Sequence, residues 1–72
     1  MDTIMNLKKT IGEKVKKRRI ELDMEQVDLQ DYAEIGSTTL SKLEQGKANI
    51  TLDRIEKILE VLGLEVIVKV KG

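Results

Sequence analysis

The 72 residues predict a small all-α domain of four helices followed by one C-terminal β-strand. Three observations carry this. Apolar residues recur at three- and four-residue spacing in four separate segments. Short stretches with Gly, Asp, Ser or Thr at the positions that start and stop helices lie between those segments. After Gly63 the apolar period changes from that of a helix to two.

Residues 1–6 read as a flexible N-terminus, with Asn6 placed to cap the first helix. Leu7, Ile11, Val15, Arg18/Arg19 and Leu22 form one helical stripe and are expected to face inward. Gly12 weakens that helix a little. Asp23 is placed to end it, since Asp tolerates the left-handed conformation better than most residues.

A second helix is expected from about Glu25 to Ala33, with Leu29 and Ala33 inward and Val27 and Tyr32 at its margins. Glu34-Ile35-Gly36 is the turn, and Gly36 suits the N-cap of a third helix from about Ser37 to Gln45. Leu40 and Leu43 point inward there, and Gly46 ends the helix. Thr51 caps a fourth helix, whose first-turn Asp53 complements the helix dipole. Its stripe is Leu52, Ile55, Ile58, Leu59 and Leu62; Ile50 is expected to pack, and Gly63 is the stop.

In the tail, Leu64, Val66, Val68 and Val70 alternate with Glu65, Ile67, Lys69 and Lys71. This is a strand pattern, and no other segment offers a strand to pair with it. A lone strand leaves its backbone N–H and C=O groups unpaired, so the same strand of a second copy is the simplest partner. Residues 64–71 are therefore expected to be a dimerisation strand, involving Leu64, Glu65, Val66, Ile67, Val68, Lys69 and Val70. With an antiparallel dyad at Ile67, Glu65 faces Lys69 of the partner subunit, a pairing of opposite charges.

Composition narrows function. The chain has no cysteine and no histidine, which removes thiolate metal sites, the commonest metal ligand and the usual general base near neutrality. No catalytic residues, metal or cofactor are expected, and an enzyme is not. No apolar run approaches the ~20 residues of a membrane span, and no signal-peptide pattern opens the chain. A cytoplasmic protein with no membrane partner is expected. The formal net charge is zero but divided: residues 1–19 hold seven cations against two acids, and residues 20–35 hold six acids and no cation. Lys14, Lys16, Lys17 and Arg18 are expected to be solvated. The acidic span Glu21 to Glu34 is a candidate surface for a basic partner.

The stretch Gln26 to Lys47, two short helices joined by a tight turn and ending Glu-Gln-Gly-Lys, resembles the helix-turn-helix of the Cro/C1-type (Xre) DNA-binding repressors. Arg19, Gln26, Leu29, Ala33, Ile35, Thr39, Leu40, Ser41, Leu43, Glu44, Gly46, Lys47, Asn49, Leu52 and Leu62-Gly63 carry the resemblance over about residues 7–64. It implies a lambda-repressor-like domain over residues 7–63. Asp23 and Glu34 depart from it, for the family usually has Gly at both.

The resemblance further implies that Ser37, Thr38 and Lys42 meet base edges. Gln26 would anchor a phosphate, and Thr39, Lys47 and Asn49 would make further backbone contacts. It pairs Arg19 with Glu44 as a largely buried structural ion pair. The implied function is a transcriptional regulator, in the first instance a repressor, binding double-stranded DNA as a homodimer on an inverted repeat. Ser and Thr lack the bidentate reach of Gln, Asn or Arg, so discrimination per half-site is expected to be modest. The tail resembles the HipB-like subgroup, antitoxins whose dimers share a two-stranded lid. An adaptor that holds a HipA-like kinase toxin and represses its own operon is the alternative.

Overall fold

The computed structural model describes residues 7–70 and holds four helices in the order α1 Leu7–Glu21, α2 Gln26–Ala33, α3 Ser37–Glu44 and α4 Leu52–Leu62. Helices α1 and α2 each pack against both α3 and α4. The core between them is aliphatic. Val15, Leu29, Leu40, Ile58 and Leu62 are fully buried; Ala33, Ile35, Leu43, Ala48 and Leu59 complete the cluster. Each large aliphatic side chain so buried contributes on the order of 1.5–3 kcal/mol. Ile50 packs against this core as expected.

All four helices stop in the same way. The residue after the last turn adopts a left-handed conformation: Asp23 at φ 61°, Glu34 at φ 57°, Gly46 at φ 76° and Gly63 at φ 70°. The next residue's N–H then reaches back to a carbonyl five residues earlier. These bonds run from Met24 to Arg19 (3.0 Å), Ile35 to Gln30 (3.0 Å), Lys47 to Lys42 (2.8 Å) and Leu64 to Leu59 (2.8 Å). This closure satisfies carbonyls that a helix end would otherwise leave open. In three of the four turns the following residue is apolar (Met24, Ile35 and Leu64) and packs on or within the core. In those three turns the stop thus also seals the end of the helix. The two non-glycine residues keep the glycine-type turn rather than reshaping it.

The helix starts agree with the sequence expectation where they are described. Gly36 is the N-cap of α3 and offers no side-chain acceptor. Thr51 caps α4, its hydroxyl accepting the Arg54 N–H at 3.3 Å. At the start of α2, the Asp28 carboxylate accepts the Glu25 N–H at 2.8 Å. The expectations for residues 1–6, Asn6 among them, and for Lys71 lie outside the described residues.

Two expectations change. Leu7 and Leu22, at the two ends of the α1 stripe, are 62% and 40% exposed, and Leu52 is 81% exposed. A fifteen-residue helix outruns the small core it covers, so only Ile11, Val15 and Arg19 of the α1 stripe meet it. Arg18 is not simply solvated: its Nε donates to the Leu62 carbonyl at 2.9 Å, and so supplies a cation to the C-terminal end of α4. Residues 64–70 carry no regular secondary structure. A strand is defined by its ladder, and within one chain this segment has no ladder to join.

Gly12 has a role that composition could not disclose. A Cβ there would overlap the Leu43 carbonyl oxygen and crowd the Gly46 N–H. A Cβ on Gly46 would fall 2.8 Å from the Cα of Lys9. The backbones of α1 and of the α3 stop turn therefore touch directly. That contact sets the tilt of α3 on the rest of the domain.

Candidate nucleic-acid interface

The turn from α2 into α3 is short because Glu34 reverses the chain in one left-handed step and Ile35 buries itself behind it. Helix α3 begins immediately, at Ser37. Its first turn stands in water: Ser37 and Thr38 are exposed and Thr39 is half-buried. With glycine as the N-cap, no side chain occupies the first N–H groups of α3. This end of the helix is open to an electronegative group. Leu40 and Leu43, on the opposite side, are locked in the core and hold the helix in place.

Lys42, Lys47 and Asn49 are exposed along or just after the same helix. The Lys47 N–H closes the α3 stop on the Lys42 carbonyl, which brings the two lysines' backbones together around Gly46. Ala48 is 6% exposed and fastens the following segment to the core. Nothing in the apolar periodicity singles out Ala48, because a lone alanine between two polar residues carries no pattern.

Arg19 and Glu44 form a bidentate pair. Arg19 Nε donates to Glu44 Oε2 at 2.7 Å and Nη2 to Oε1 at 3.1 Å. Arg19 Nη1 also donates to the Met24 carbonyl at 2.8 Å. The two side chains are only 11% and 4% exposed. The hydrogen bonding of Arg19 to the Glu44 carboxylate raises the guanidinium pKa above its ordinary value, against the lowering effect of burial. The pair ties the end of α3 to α1 and to the turn that opens α2.

Gln26 joins this pair, which the sequence does not indicate. Its Nε2 donates to Glu44 Oε1 at 3.0 Å. Gln26 is half-buried as the first residue of α2, and this bond sets it against the last residue of α3. The set Gln26, Ser37, Thr38, Thr39, Lys42, Lys47 and Asn49 thus belongs to the start of α2, to α3 and to the segment that follows it.

A second exposed feature lies near the start of α4. Leu7 and Ile11 of α1, Ile50, Leu52 and Ile55 line an apolar groove, and Val66 and Val68 of the tail reach its rim. Val66, Ile67, Val68 and Val70 are 58%, 69%, 90% and 98% exposed.

A four-helix domain with a short α2-turn-α3 unit, an open α3 N-terminal turn and a clamped α3 C-terminal end is the architecture of a helix-turn-helix DNA-binding regulator. A helix-turn-helix family model matches residues 15–67, and the chain belongs to this Cro/C1-type (Xre) family. It is similar to the control protein C.BamHI of Bacillus amyloliquefaciens. The two are 34% identical over 61 residues, covering 83% of this chain and 75% of that protein. No helix among the described residues is long and apolar enough to cross a membrane.

Proposed function

We propose that this DNA-binding transcriptional regulator acts as a homodimer on an inverted-repeat operator, with the first turn of α3 in the major groove. Ser37, Thr38 and Lys42 meet base edges. Gln26, Thr39, Lys47 and Asn49 hold the phosphate backbone. The observation that carries this reading is the exposure of Ser37 and Thr38 at an uncapped helix start whose far end is fixed by the Arg19–Glu44 pair. Phosphate contacts set the register, and the small hydroxyl side chains leave much of the discrimination to DNA shape and half-site spacing.

Dimerisation is supported by the exposed apolar tail and by the groove beside it. In water, the aliphatic side chains of Val66, Ile67, Val68 and Val70 gain nothing by standing open, and of these Val66 and Val68 line the groove. An antiparallel ribbon centred on Ile67 satisfies both backbones and sets Glu65 opposite Lys69 of the partner subunit. The α3 helices of such a dimer need to lie about 34 Å apart to enter successive major grooves. Repression is the expected output. The matched relative is a control protein rather than an antitoxin, so the regulator reading stands ahead of the toxin-binding adaptor.

The test is a footprint on the region upstream of this protein's own gene. A protected two-fold symmetric site whose occupancy falls with salt is expected. An absence of any salt-dependent affinity for that region, or for mixed-sequence duplex, refutes the proposal.

A further inference from the structure

We infer that Glu44 is a positioning residue for DNA binding: its carboxylate aims the Gln26 side-chain amide at the phosphate backbone and so couples the buried ion pair to the protein–DNA contact. The inference rests on the phosphate contact assigned to Gln26 above.

Glu44 has two carboxylate oxygens, and both are engaged from one side by Arg19. Oε1 takes a second donor, Gln26 Nε2, at 3.0 Å. An ionised carboxylate only accepts, so it selects the NH2 end of the Gln26 amide and rejects the carbonyl end. One N–H of Gln26 is thereby spent on Glu44. The other N–H and the amide oxygen are left to the half-exposed side of the residue. A primary amide alone in water rotates freely between two orientations, of which only one presents an N–H to a phosphate. Here the orientation is set before DNA arrives. The cost of ordering the side chain is then met in folding rather than in binding.

The anchor is rigid as well as directed. The Glu44 side chain is 4% exposed, and the guanidinium that holds it is fixed in turn by the Met24 carbonyl. The two bonds from Arg19 therefore hold the carboxylate in place whether or not Gln26 is bound to it, and Gln26 meets a fixed acceptor. The arrangement also couples two distances: α3 carries the recognition residues, α2 the phosphate anchor, and Glu44 links one to the other.

The experiment is a double-mutant cycle on affinity for a mixed-sequence duplex at low salt, since a phosphate contact is independent of sequence. The variants are Gln26→Ala, Glu44→Gln and both together, with folding checked by circular dichroism at the assay temperature. Gln26→Ala should weaken binding about tenfold, the scale of one hydrogen bond to a charged group. Glu44→Gln leaves one acceptor oxygen where Glu44 has two, so the Arg19 and Gln26 donors compete for it and the Gln26 amide loses its fixed orientation. A several-fold loss is expected in the native background and none when Gln26 is already Ala. Glu44→Asp, with a carboxylate drawn back by one methylene, serves the same cycle if Glu44→Gln does not fold. An equal loss in both backgrounds means that Glu44 acts on DNA only through the fold and overturns the inference. If Gln26→Ala leaves affinity unchanged while salt-dependent binding persists, the phosphate role of Gln26 itself is wrong and the inference falls with it.

Discussion

Gly12 of α1 lies so close to the Leu43 carbonyl at the end of α3 that the smallest side chain on it would overlap that oxygen. The position is helical, where alanine is ordinarily worth about 1 kcal/mol more than glycine. Here the sign reverses, because the obstruction is backbone and cannot rotate away. Gly12→Ala is expected to cost roughly 1–3 kcal/mol, the range for overpacking a close contact. Urea denaturation checks it, and an unchanged or raised midpoint counts against direct contact of the two backbones.

Asp23 and Glu34 end α1 and α2 with left-handed backbones that L-residues adopt at a cost of about 1–2 kcal/mol each. Glycine removes that cost but raises the entropy of the unfolded chain, which folding must then lose. Glu34→Gly also loses the ion pair to Lys57 at 3.4 Å, whose side chains are 46% and 78% exposed and which contributes little. We expect each glycine variant to raise stability by about 0.5–1 kcal/mol. A drop in thermal midpoint for both would show that these turns are held by something other than the backbone conformation described.

Arg19→Met leaves Glu44 buried without its cation. The expected loss is about 3–5 kcal/mol, most of it the penalty of an unpaired charge rather than the net worth of the pair. Since the guanidinium pKa is raised, its contribution is fully present below the ordinary arginine value and is lost only as pH rises through the still higher folded value. Arg19 therefore adds no slope to stability across neutral pH. A loss of only a few tenths of a kcal/mol on chemical denaturation would reduce the pair to two independent charges.

Lys42→Ala and Lys47→Ala separate base from phosphate contact. Lys47→Ala should weaken all sequences alike and reduce the slope of log K against log salt by about 1. Lys42→Ala should weaken the operator more than mixed-sequence duplex, by ~1–3 kcal/mol if the lysine donates to a guanine. Uniform weakening by both would move Lys42 to the phosphate set.

Removal of the residues after Leu64 should abolish the proposed dimer while leaving a folded monomer, because among the described residues none beyond Leu64 packs on the core. Sedimentation equilibrium measures this directly. A truncated chain that stays dimeric places the interface elsewhere, with the apolar groove at Leu7, Ile50 and Leu52 the first place to look.

The helices and their limits were legible because periodicity and stop residues are local. Leu29 with Ala33, Leu40 with Leu43, and Ile58 with Leu62 each announce a buried face by spacing, and all are buried. Leu7, Leu22 and Leu52 misled by the same rule, for periodicity says which side of a helix is apolar and not how far the core beneath it extends. In the candidate interface, the residue types and their order were legible. That Gln26 donates to Glu44 and that Arg18 caps α4 were not, since those contacts join residues 18 and 44 positions apart in the chain.

What the sequence determined by itself is therefore the inventory: four amphipathic segments, their stops, an alternating tail and a family of regulators. What only the tertiary structure decided is which groups meet. It turned Gly12 from a weak helix residue into a required gap, and it gave one carboxylate two partners. Local backbone preference is written in a few adjacent residues. Long-range contact depends on the angle at which whole helices pack, and that angle is settled by the summed shape of the core.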